Sequence, residues 1–60
     1  MNLRKRFLNV YYKLPDGEEK NTIVVLNGHP LSWNVVKIEV DKGTSVGDEC
    51  LAKLMRMEII

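Results

Sequence analysis

The residues best able to do chemistry stand near the start of the chain. Arg4, Lys5, Arg6 and Lys13 fall within the first thirteen residues, which hold no acid and so carry +4. Phe7, Tyr11 and Tyr12 are interleaved with them. Cations held beside aromatic rings suit a nucleic acid, since the cations meet phosphate and the rings stack on bases. The rest of the chain dilutes this field. Residues 14–30 sum to −2, residues 31–43 balance, and residues 44–60 sum to −1, leaving +1 overall. A basic field over the whole domain, the usual footprint of a nucleic-acid binder, is absent. No ribonucleoprotein-type aromatic motif occurs, and basic runs near a terminus are commonly solvated ends.

Other chemistry has less to stand on. The chain has one His and one Cys, so no pair of strong ligands sits at the spacing a zinc or iron site needs. His29 reads as a solvated turn residue, and Cys50, on an apolar helix face, as a buried structural thiol. His29, Ser32 and Ser45 show no spacing that resembles a nucleophile elbow. Asp16, Glu18 and Glu19 cluster in a turn without the alternation of a calcium loop. Lys42-Gly43-Thr44-Ser45 enters a helix start but does not spell a phosphate-binding loop, and Asp48 and Glu49 just beyond it would repel phosphate.

Length sets the outer bounds. Sixty residues at 45% hydrophobic and 28% charged imply a single small globular domain over 1–60. A domain of this size holds no deep cleft of roughly 300–1,000 Å³ beside its own core, which argues against a self-contained enzyme. A small enzyme assembled only at a subunit interface has no residue to nominate. One thiol makes no internal disulfide, which points to a reducing compartment. No apolar run approaches the roughly 20 residues of a membrane span, and no stretch of signal-peptide length precedes Lys13. The expectation is a cytoplasmic protein with no metal, no cofactor and no membrane contact.

The elements that must position these residues follow from turns and periodicity. Pro15-Asp16-Gly17 reads as a hairpin turn joining strands over 6–14 and 20–26. Asn27-Gly28 favours a type I′ turn, followed by Pro30 at a sheet edge. A third strand over 32–40 alternates Val36, Ile38 and Val40 against Lys37, Glu39 and Asp41. Thr44 or Ser45 caps a helix that ends near Arg56 or Met57, with Gly47, Cys50, Leu51, Leu54 and Met55 on one face. Ile59 and Ile60 fold back as an apolar tail. The predicted fold is therefore α+β, a three-stranded antiparallel sheet with one C-terminal helix packed on one face, in the order β-β-β-α.

On that fold one helix covers only one sheet face. The first hairpin is apolar on both faces, so Phe7, Tyr11, Val24 and Leu26 would form an exposed patch. The leading functional expectation is thus a non-enzymatic binding or assembly module. It self-associates, or docks on another protein, through this sheet face or the hairpin edge. Sequence-independent nucleic-acid binding through Arg4, Lys5, Arg6 and Lys13 on the first strand is the alternative.

Overall fold

A computed structural model describes residues 2–60. The element order is α1 (Leu3–Tyr11), β1 (Thr22–Leu26), β2 (His29–Ser32), α2 (Trp33–Lys42) and α3 (Ser45–Arg56), with a single 3-10 turn at Glu18–Lys20 before β1. The protein is a small α+β domain with an antiparallel sheet, but the predicted three-stranded sheet and single helix are overturned. Among the described residues there are three α-helices and one two-stranded sheet, and 58% of those residues are helical, the 3-10 turn included.

The strand expected over 6–14 is α1. Its apolar residues fit period two, yet Leu3, Phe7, Val10 and Tyr11 also recur at helical spacing, and burial favours the second pattern. Phe7 is fully buried, while its neighbours Arg6 and Leu8 are exposed and half-buried. Asn2 starts the helix, its side chain accepting a hydrogen bond from the Lys5 amide at 3.1 Å. Pro15-Asp16-Gly17 is still a turn, with Gly17 at φ 90°, but it leads α1 into the 3-10 turn instead of closing a hairpin.

The strand expected over 32–40 is a correction of the same kind. Ser32 ends β2, and its hydroxyl accepts from the Val35 amide at 3.3 Å to cap α2. Trp33, Val36 and Val40 are buried at i, i+3 and i+7. Ile38, placed with Val36 and Val40 by the alternation, is 51% exposed. Burying the large Trp33 ring against Phe7, at 5.7 Å between centroids, outweighs the β preference of the valines and isoleucine.

The predicted type I′ turn is present, with Asn27 at φ 51° and Gly28 at φ 80°. It pairs Leu26 with His29, Val25 with Pro30 and Val24 with Leu31, with an irregularity between Thr22 and Val24. In this register Val25 and Pro30 are a non-hydrogen-bonded pair, so their backbone groups face outward. The Val25 carbonyl accepts from Lys53 Nζ at 2.8 Å, and Pro30 has no N–H to offer. Both edges are thereby blunted against a further strand, which weighs against association through the hairpin edge.

Helix α3 follows its sequence signals. Thr44 caps it, accepting from the Gly47 amide at 3.1 Å. Its hydroxyl also lies within hydrogen-bonding reach of the Glu39 carbonyl and carboxylate. The Lys42-Gly43-Thr44-Ser45 stretch is thus a capped helix start. Gly47, Cys50, Leu51 and Leu54 are buried, and Met55 is not. A Cβ on Gly47 would stand 2.7 Å from the Glu39 carbonyl oxygen, so α2 and α3 cross backbone to backbone there. The helix closes with the Ile59 amide bonded to the Leu54 carbonyl and Glu58 to Met55, each at 3.0 Å. This is a Schellman closure with Glu58 in the left-handed region at φ 59°. It turns Ile60 into the core with Phe7, Val24, Trp33, Val36, Val40, Cys50, Leu51 and Leu54.

Candidate nucleic-acid interface

Making residues 3–11 helical rearranges every side chain named as a candidate. A strand would send Arg4 and Arg6 to one face and Lys5 and Lys13 to the other. On a helix, residues 5, 9 and 12 and residues 6, 9 and 13 are neighbours. Lys5, Arg6, Asn9, Tyr12 and Lys13 are all exposed and share the outer face of α1 and its C-terminal extension. Phe7 and Tyr11 lie on the inner side. Lys5 and Lys13 are eight residues apart, about 12 Å along a helix axis.

Arg4 does not join this face. Its guanidinium reaches toward α2, with Nη2 3.9 Å from Asp41 Oδ1. Asp41 also accepts from Lys37 Nζ at 2.7 Å. That hydrogen bond is the main reason the Lys37 ammonium holds its proton above the usual lysine range, against a smaller opposing effect of burial. Lys37 lies 5.7 Å from the Tyr11 ring centre and 6.0 Å from that of Tyr12.

The two tyrosines stack at 5.4 Å with 21° between their planes. Tyr11 is fixed from below, since its hydroxyl donates to Asn34 Oδ1 and its ring packs against Phe7 at 6.0 Å. Tyr12 has no such cover and is 72% exposed. Beside it lies an open depression of about 360 Å³, lined by Tyr11, Tyr12, Leu14, Asp16, Glu19 and Asn34.

The other predicted site residues separate. Phe7 and Val24 belong to the core, at 0% and 3% exposure, Tyr11 is half-buried, and Leu26 packs against the core from the hairpin. Of the exposed apolar patch expected of Phe7, Tyr11, Val24 and Leu26, Phe7 and Val24 are therefore interior, while Tyr11 and Leu26 keep part of their surface open. The excess of apolar residues is absorbed by two further helices. Leu26 does line a second concavity of about 300 Å³ with Leu31, Val46, Asn27, His29 and Glu49. Cys50 is fully buried, and desolvation chiefly, with Glu49 and Glu39 adding to it, raises its thiol above the usual range, so it stays protonated and inert.

Asn34, Lys37 and Asp41 are the members of this surface that sequence reasoning missed. Their signal was available as spacing, since 34, 37 and 41 share one helix face and Lys37–Asp41 is an i,i+4 ion pair. Among the described residues no helix is long and apolar enough to cross a membrane, and no group of His, Cys, Asp or Glu is gathered for a metal ion. Compared with family models, with curated proteins and with solved structures, the chain matches none.

Proposed function

We propose that the protein is a non-enzymatic binding module that contacts the phosphate backbone of a nucleic acid through the outer face of α1. One observation carries this reading. Lys5 and Arg6 stand exposed on one face of α1 with Asn9, exposed Tyr12 and Lys13 follow in the turn that closes the helix, and no acid occurs in the first thirteen residues. Such a face presents several cations at once to a regular array of phosphates.

The placement of those cations supports it further. Arg4, Lys5 and Arg6 crowd the N-terminal turns of α1, and the first turn holds no acid. The N-terminus is the positive end of a helix dipole, where cations are unfavourable and carboxylates favourable. A helix charged against its own dipole gives up stability, and local conflicts of that kind concentrate where a surface serves a ligand. Docking through an apolar sheet face has less support, because Phe7 and Val24 are buried and both hairpin edges are blunted.

The test is fluorescence anisotropy with a labelled oligonucleotide at low salt, using the wild type and the double variant Lys5→Glu, Lys13→Glu. The wild type is expected to bind and the variant to lose at least about tenfold in affinity, since it reverses two of the contacting charges. Equal affinity of the two proteins would contradict the proposal.

A further inference from the structure

The basic face ends at an exposed aromatic ring, and the geometry points to a single-stranded nucleic acid, with a base stacked on Tyr12, as the ligand. This inference rests on the reading of α1 as a phosphate-contacting face and adds what that face selects. Three features of the Tyr12 side chain carry it. The residue is 72% exposed, so a planar ligand reaches the side of its ring turned away from Tyr11 without displacing protein. It is held in place, because it stacks on Tyr11, and Tyr11 is itself fixed by its hydrogen bond to Asn34 and its packing on Phe7. It also adjoins Lys13 in sequence and shares the exposed face with Lys5, so a strand whose phosphates meet these lysines brings a base to the ring.

The depression flanking Tyr12 sharpens the choice between base and phosphate. Asp16 and Glu19 line it with Asn34 and Leu14. Two carboxylates repel a phosphate, while carboxylate and amide groups can pair with the polar edge of a base. The backbone therefore runs along the lysines and the base turns toward the tyrosine. In a duplex the bases are stacked on one another and cannot do this. A purely electrostatic face prefers the duplex, whose phosphate density is higher. Stacking on Tyr12 reverses that preference, because each stacked base adds an interaction the duplex lacks.

The experiment compares three probes of one sequence by anisotropy: single-stranded DNA, single-stranded RNA and duplex DNA. The proteins are wild type, Tyr12→Phe and Tyr12→Leu, with circular dichroism to confirm that each variant keeps its helices. Both single strands are expected to bind the wild type at least about fivefold more tightly than the duplex. Tyr12→Phe should keep that ratio, and Tyr12→Leu should reduce it to one or below by weakening single-strand binding alone. A duplex bound as tightly as the single strands, or a preference unchanged in Tyr12→Leu, overturns the stacking inference and leaves the basic face standing. Absence of binding to all three probes overturns both.

Discussion

Glu58 shows how a single backbone angle can be set by its surroundings against the residue's own preference. It sits at φ 59° because the Schellman closure of α3 needs a left-handed residue there, and that closure brings Ile60 into the core. A side chain with a Cβ is strained in this conformation, and glycine is not. Glu58→Gly is therefore expected to stabilise the protein by about 0.5–1 kcal/mol, read as a higher midpoint in urea unfolding. Loss of stability would mean that the Glu58 side chain makes a contact worth more than the strain. At the same scale, Tyr11 and Tyr12 differ by one position and by everything that matters for a ligand. Tyr11 faces inward and donates to Asn34, whereas Tyr12 faces water.

Between elements, the tightest constraint is the crossing of α2 and α3 at Gly47. An alanine in a free helix is favoured over glycine by about 1 kcal/mol. Here its Cβ would meet the Glu39 carbonyl oxygen at 2.7 Å, and backbone cannot swing aside as a flexible side chain can. Gly47→Ala should thus destabilise by about 1–3 kcal/mol, measured by urea denaturation, despite the better propensity. Helix α1 offers the opposite case. Lys5 is its third residue, at the positive end of the dipole, and Lys5→Glu should stabilise the fold by about 0.5–1 kcal/mol while weakening nucleic-acid binding. The parts of the fold legible in the sequence are those whose residues act locally. Asn27-Gly28 sets its own φ angles, and Thr44, Gly47 and Leu54 sit where a capped amphipathic helix needs them. Residues 6–14 and 32–40 are not legible in this way, because valines, tyrosines and phenylalanine there satisfy both periods. The choice is made by Phe7 stacking on Trp33, a contact between residues 26 positions apart that no local window contains. The candidate site shares that fate. Its cations were visible as a run, but whether they share a face depends on the period.

At the scale of the whole molecule, two extra helices change what the surface offers. A three-stranded sheet under one helix would leave an apolar face open. The α-β-β-α-α arrangement instead closes Phe7, Val24, Trp33 and Ile60 into one core and leaves the charged outer side of α1 as the distinctive surface. The net charge of +1 understates that surface, because the acids that cancel it begin only at Asp16. Binding through it must then depend on salt in proportion to the phosphates it neutralises. The most direct measurement is the affinity of the wild type for a single-stranded oligonucleotide across a range of salt concentrations. With Lys5, Arg6 and Lys13 each meeting a phosphate, the logarithm of the affinity should fall against the logarithm of salt with a slope of about −2. A slope near zero, or no binding at the lowest salt, would contradict the account.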